Sequence, residues 1–297
     1  MKENRPSKTA QYMALFRAIE SSGGWNRLFD DPLAWAFLSA PQRALASASA
    51  LPLIRPLLLR YVHHRAPGAF SSAVARTRYI DDLLQRTLRA GVKQVVILGA
   101  GFDTRAMRLE ALANIPVIEV DHPDTAREKS NRIAAMGRAS SNVTYLRHDF
   151  NRQPLDDILS DHRIDPQLPT TILCEGVTNY LTPQAVDCVL RLVHRFAWGS
   201  YLLFTYVDRA VLDRPADFVG TEKLFRRLRN SDEQWTFGFE PAALGDHLAS
   251  MGLELQEDNG AGEYRRMYMR PTSFLLQGYE FYHVCLAQSR GRRASAD

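Results

Sequence analysis

Four stretches of the chain set reactive side chains beside abrupt ends of apolar runs. Residues 99–105 read Gly-Ala-Gly-Phe-Asp-Thr-Arg, directly after the run VVIL. Asp121 closes PVIEVD and lies 22 residues after Gly99; Asp149, followed by Phe150, closes VTYLRHD; Glu175 follows TTILC. A glycine-rich turn lets a ligand approach backbone that a side chain would block. A carboxylate about twenty residues further on accepts from both hydroxyls of a ribose. Asp121 is the candidate for that role, with capping of a helix at Pro123 as its competing role. Glu119, also in this run, is expected to turn away from it by strand alternation.

The same turn narrows the cofactor. A dinucleotide fingerprint, Gly-x-Gly-x-x-Gly/Ala, needs a third small residue and a phosphate at the helix start. Here the third position is Thr104, and Asp103 would set a negative charge beside any phosphate. Both disfavour a NAD-type oxidoreductase, the competing enzyme class. S-adenosylmethionine has ribose and adenine, no phosphate, and an ammonium that carboxylates can meet. Asp149 and Phe150 are then expected at its adenine.

These residues need a scaffold that brings strand ends together. The apolar runs at 95–98, 116–121, 143–149, 170–176 and 200–208 alternate with helical patterns such as 123–136 and 183–196. Fully apolar strands alternating with helices imply a parallel sheet covered on both faces. Residues 253–258 and 281–287 are expected to add an antiparallel pair at its edge. Ahead of the sheet, 9–20, a start at Asp31-Pro32 and 74–89 read as helices, the last closed by Gly91.

Composition sets outer bounds. The chain is 45% apolar and 24% charged, with a formal charge of +4. Its basic residues form no compact cluster interleaved with aromatics, so no nucleic-acid partner is expected. Cys174, Cys188 and Cys285 are too dispersed for disulfides or a zinc site, and each is expected buried and inert. The N-terminus lacks the apolar segment of a signal peptide. LPLIRPLLLRYV from Leu51 carries two prolines and two arginines and is too short to span a bilayer. A cytoplasmic protein is expected, with no metal and no membrane partner.

Longer matches are more specific. TAQYMALFRAIE, DDPLAWAFL, ARTRYIDDLL, LGAGFDTRAMRL, IEVDHP, HDF, LCEGVTNYLTPQAV and WTFGFEPAALGDHLASMG follow one another over roughly residues 8–287. In these the chain resembles the leucine carboxyl methyltransferase family, within it a bacterial branch of S-adenosylmethionine-dependent O-methyltransferases linked to secondary metabolism. The resemblance implies an α/β fold: a Rossmann-like class I methyltransferase sheet, mostly parallel with an antiparallel C-terminal edge, plus N-terminal helices and a helical lid insert. A single methyltransferase domain over 1–297 is expected, divided into an N-terminal helical region (1–90), a cofactor-binding core (91–208), a lid (209–240), the C-terminal end of the sheet (241–288) and a disordered tail (289–297).

It also implies roles. Arg76 would pair with the cofactor's carboxylate, with Arg78 as rival; Gly99 would approach by its backbone. Asp121 would take the ribose, Asp149 with Phe150 the adenine, and Glu175 the methionine end. The family's N-terminal basic residue has Lys8 and Arg17 as candidates. His122 departs from the branch's EVDQP and is expected to be a solvated helix-start residue. The expected reaction is O-methylation of a small molecule, at a carboxyl ahead of a hydroxyl. A carboxylate is already an anion and needs no base, and no residue is assigned as one. Tyr180 and Tyr206 are expected to line the acceptor pocket, and Phe218, Phe225, Trp235 and Phe237 to cover it or pack in the lid. Protein C-terminal carboxyl methylation and a catalytically inactive binding protein stand as alternatives, and the oligomeric state is open.

Overall fold

The computed structural model describes residues 8–138, 140–150, 152–229, 234–270 and 273–290. Four helices come first: α1 (Lys8–Ser21), α2 (Ala40–Ala48), α3 (Ile54–Arg65) and α4 (Ala69–Arg89). Then follow β1 (Gln94–Leu98), the single turn α5 (Arg105–Arg108), β2 (Val117–Asp121), α6 (Pro123–Ala135), β3 (Val143–Arg147) and β4 (Thr170–Cys174). The chain continues with α7 (Pro183–Leu192), β5 (Tyr201–Val207), α8 (Ala210–Asp213), α9 (Thr221–Arg229), α10 (Pro241–Ser250), β6 (Leu253–Gly260), α11 (Ala261–Tyr268) and β7 (Tyr282–Ser289).

The seven strands lie in the order β3-β2-β1-β4-β5-β7-β6. The first five are parallel, while β7 runs antiparallel to both β5 and β6. Strand order reverses between β1 and β4, so the turns leaving those two strands open side by side, where ligands of such sheets bind.

Alternation within β1 shows how both faces are filled. Val95 and Ile97 pack with Ile80, Leu83 and Leu84 of α4, while Val96 and Leu98 meet the layer containing Val186 and Leu190 of α7. Helix α4 carries apolar side chains at helical spacing and spans both this layer and the N-terminal helices, where Phe70 and Val74 join Leu15 and Ile19 of α1.

Several expectations change. Asp31-Pro32 starts only a 3-10 turn over Ala34–Phe37, because Asp31 is buried and spends its oxygens elsewhere besides capping. The turn after β1 leads into only one helical turn, α5, and α11, unforeseen, fills the β6–β7 connection. Strand β7 runs on through Ser289, which was assigned to the tail; residues 291–297 of that tail lie outside the described residues. Cys174 and Cys285 are buried, but Cys188 is exposed on α7.

Glu119 does not turn away from Asp121: residues i and i+2 share a face of a strand. It is withdrawn by a buried ion pair, Lys129 Nζ to Glu119 Oε2 at 2.5 Å. Burial pushes its carboxyl up to about 7, against the pull of Lys129. Lys129→Ala would strand that carboxylate, costing about 3 kcal/mol in urea unfolding at pH 8. The loss should shrink at pH 6, where an unpaired Glu119 takes up a proton.

Candidate functional site

A cavity of about 1420 Å³ opens at the carboxyl ends of β1, β2 and β4 and beneath α1, α3 and α9. That exceeds the roughly 300–1,000 Å³ of a pocket for one ligand, so there is room for a cofactor and an acceptor together. Its floor is the turn after β1. Gly99 has φ +62° and Gly101 φ +48°, conformations that favour glycine. A Cβ on Gly99 would also drive into Cγ2 of Val177.

The turn is fixed from three sides. The Gly99 N–H donates to the Val120 carbonyl at 2.8 Å, and the Gly101 N–H donates to Asp121 Oδ2. Arg17 of α1 donates to the Phe102 carbonyl at 2.5 Å and to Asp31 Oδ2 at 2.7 Å. Thr104, in the place of the third small residue, donates its hydroxyl to the same Asp31 oxygen at 2.7 Å. The threonine thus anchors the turn to the N-terminal helices.

Asp121 sits at the tip of β2 on the cavity wall. Its Oδ1 accepts from the His122 N–H at 2.6 Å while Oδ2 holds Gly101. Burial raises its pKa above the usual carboxylate range, and these two amides pull the other way. A carboxylate has about four acceptor directions, so this pairing leaves capacity for further donors. The helix cap here is His122, whose Nδ1 accepts from the Asp124 N–H at 3.3 Å, and not Asp121. His122 also lines the cavity, with Nε2 4.0 Å from Asp149 Oδ2. Asp149 and Phe150 follow β3 and line the same wall.

Beside them lies a buried network of charge. Glu175 Oε1 accepts from Arg76 Nε at 2.8 Å, and Oε2 from Arg105 Nη1 at 2.7 Å. Arg105 also reaches Asp103 and, at 2.7 Å, Asp81 Oδ1; Arg108 closes on Asp81 at 2.7 and 2.8 Å. Three guanidinium groups therefore meet three carboxylates. Burial raises the Glu175 pKa, but the Arg105 and Arg76 charges outweigh it and hold the group below its ordinary value. Burial acts the same way on Asp103, where Arg105 and Lys129 prevail. The Arg76 guanidinium lies 4.4 Å from the Tyr282 ring centre, and its Nη2 reaches the Met13 sulfur at 3.4 Å.

The structure thus gathers Arg76, Gly99, Asp121, Asp149, Phe150, Glu175 and Tyr180 around one cavity. Arg78 faces Asp82 and the Leu28 carbonyl, outside the lining. Tyr206 does not join them. Alternation along β5 turns it to the α7 side, where it is fully buried and donates to Asp258 Oδ2 at 2.6 Å. Of the insert's aromatics, Trp235 lines the cavity; Phe218, Phe225 and Phe237 pack on neighbouring rings instead. Arg17 lines it as well, while the Lys8 side chain lies outside the description. Sequence reasoning missed Arg105, Asp81 and Tyr282. For Arg105 a signal was present in its place within GFDTR, but no spacing pairs it with Asp81 in α4.

This strand order, with β7 reversed between β5 and β6, is that of the Rossmann-like class I methyltransferases. A protein described as a methyltransferase from Thermobifida fusca shares the fold at a TM-score of 0.59 and 19% identity, over 98% of this chain and 97% of its own. A DUF574-family protein from Streptomyces avermitilis does so at 0.61 and 14%, over 92% and 96%. In sequence, a protein described as an S-adenosyl-L-methionine-dependent methyltransferase from Parafrankia sp. is 33% identical over 279 residues, 92% of this chain and 84% of that one. The family model for leucine carboxyl methyltransferase matches residues 10–194. The chain belongs to that family, and it is an S-adenosylmethionine-dependent methyltransferase.

Arg105→Met would leave Asp81, Asp103 and Glu175 short of their shared cation. A loss of about 3–5 kcal/mol in chemical denaturation is expected, against under about 1 kcal/mol for Arg78→Ala on the exposed side of the same helix layer.

Proposed function

We propose that the chain transfers a methyl group to an oxygen of a small acidic molecule, with the cofactor held by Arg76, Gly99, Asp121, Asp149, Phe150 and Glu175. The observation that carries this is Asp121: a buried carboxylate at a strand tip, steadied by two backbone amides, beside a glycine cradle that a Cβ would fill. These residues fit an adenosyl sulfonium. Asp121 would accept from the ribose hydroxyls, and Asp149 with Phe150 would meet the adenine. Glu175 and Asp103 place negative charge near an ammonium. Arg76 spends Nε on Glu175 and Nη2 on the Met13 sulfur, and would offer Nη1 to a carboxylate. When bound, the cofactor supplies the activated methyl group.

The rest of the cavity has a different character. Among the described residues, the cavity's lining carboxylates, Asp103, Asp121, Asp124, Asp149 and Glu175, all lie at or shortly after the carboxyl ends of β1, β2, β3 and β4. The covering side brings Phe16, Tyr61, Leu224 and Trp235, with two cations, Arg65 and Lys223, that meet no carboxylate among the described residues. An anion with an apolar or aromatic body suits that side. His122, the only imidazole among the described lining residues, stands between Asp121 and Asp149 on the cofactor side. With no histidine among the described residues of the covering side, we favour an acceptor oxygen that is already ionised, a carboxylate ahead of a hydroxyl. The chain's task is then to hold that oxygen in line and keep water out.

Calorimetric titration with S-adenosylhomocysteine tests the cofactor half. Asp121→Ala should weaken binding more than about tenfold, on the order of 1.4 kcal/mol, in a variant that still unfolds cooperatively. Equal affinity would remove the assignment. For the acceptor half, aromatic and aliphatic acids and phenols are screened by mass spectrometry for a methyl gain. With the best substrate, Lys223→Glu should raise KM about tenfold and leave kcat within about twofold.

A further inference from the structure

Residues 32–80 contain six arginines, two histidines and no aspartate or glutamate. Helix α3 lies inside this run. Its inner side packs through Leu58, Leu59 and Val62 into the N-terminal cluster. Its outer side is apolar and, among the described residues, uncovered: Leu53, Leu57 and Tyr61, four residues apart and so on one stripe, are 84%, 68% and 61% exposed. Leu51 and Ile54 beside them are also exposed. Arg60, His64 and Arg65 lie exposed along the same helix, and none meets a carboxylate among the described residues.

Single exposed leucines are ordinary on a protein surface. A stripe of them flanked along its own helix by basic residues, in a run of chain without acids, is not, and it calls for a partner that is apolar inside and anionic at its rim. A second copy docked by two-fold symmetry would set these arginines against their own equivalents, since such an interface pairs one patch with itself. The residues outside the description, 1–7, 139, 151, 230–233, 271–272 and 291–297, supply one large apolar side chain, Met1. An anionic bilayer has both required properties: acyl chains for the leucines and headgroup charge for the arginines.

We propose that the outer face of α3, with Leu51, docks the protein reversibly on an anionic lipid surface. This needs no spanning segment, so the short length of LPLIRPLLLRYV, which excludes a transmembrane helix, does not bear on it. Tyr61 and Arg65 belong both to this face and to the cavity lining, together with Leu45 of α2. An amphiphilic acceptor partitioned in the lipid would therefore meet the cavity mouth where the protein docks. That last step rests on the methyltransferase reading; the docking itself does not.

The test is co-sedimentation of the whole chain with vesicles of phosphatidylcholine alone or with about one-third phosphatidylglycerol. Binding to the anionic vesicles should be about tenfold stronger and should fall with added salt. The Leu53→Ser/Leu57→Ser double variant should lose about tenfold while its affinity for S-adenosylhomocysteine stays within twofold. Arg60→Glu, with the leucines intact, should lose about fivefold. Equal binding to both vesicle types, or variants that bind as the parent does, overturns the proposal. So does a dimer in light scattering that the double variant dissolves, because the face then belongs to a second copy. Vesicle binding without S-adenosylhomocysteine binding would leave docking in place and sink the cofactor assignment instead.

Discussion

Arg105 is the constraint on which the site depends. Its guanidinium is buried and reaches carboxylates on the β1 exit turn, on α4 and on the exit of β4. A charge so placed is tolerated only because acids meet it, Asp81 at Nε and both Asp103 and Glu175 at Nη1. The pairing is mutual: Glu175 and Asp103 keep their charge at this depth because the arginines stand against them. Parallel strands are separately laid down in the chain, and hydrogen bonding between β1 and β4 aligns them only as far as Ile97 and Leu173. Beyond that point the ionic ties take over and hold the two loops in register across the switch point.

The same economy recurs at the N-terminal side. Asp31 gathers Arg17, Thr104 and two backbone amides around one buried carboxylate. Helix α1 thereby touches the glycine turn through Arg17 as well as through packing of the N-terminal cluster, in which Phe102 stacks on Phe37 at 4.4 Å. The cavity is consequently a joint product of the sheet and the helices ahead of it. Neither layer alone encloses it, because its floor comes from strand exits and its roof from α1, α3 and α9.

Much of this was legible beforehand, for a definite reason. Strands buried on both faces read as unbroken apolar runs, so the first polar residue after each run marks where it leaves the sheet. Glu175, directly after TTILC, follows that rule, while Asp121 and Asp149 end runs that carry other polar residues, Glu119 in one and Arg147 and His148 in the other. Tyr206 was misjudged because proximity to a strand end was allowed to outweigh alternation: Phe204 and Tyr206 share one face, Leu203 and Val207 the other. Asp81 and Tyr282 were beyond reach. Each sits within an ordinary helical or strand pattern and meets its partners only through tertiary folding, Asp81 across from α5 and Tyr282 beneath Arg76. The acid-free run that includes α3 was visible in composition, but only the exposure of its leucines gave that absence a meaning.

The reversed strand β7 has a consequence for how the molecule is assembled. It occupies an interior position, between β5 and β6, yet it follows every other strand in the chain. While the polypeptide is still emerging, β5 must wait with one row of amides and carbonyls open to water, and β6 has no neighbour at all. Native pairing on that half of the sheet therefore begins only once residues 282–289 are free to slide in, a late and non-local closure of the kind that slows folding. Until then the naked margin of β5 is a place where other unfinished chains can attach.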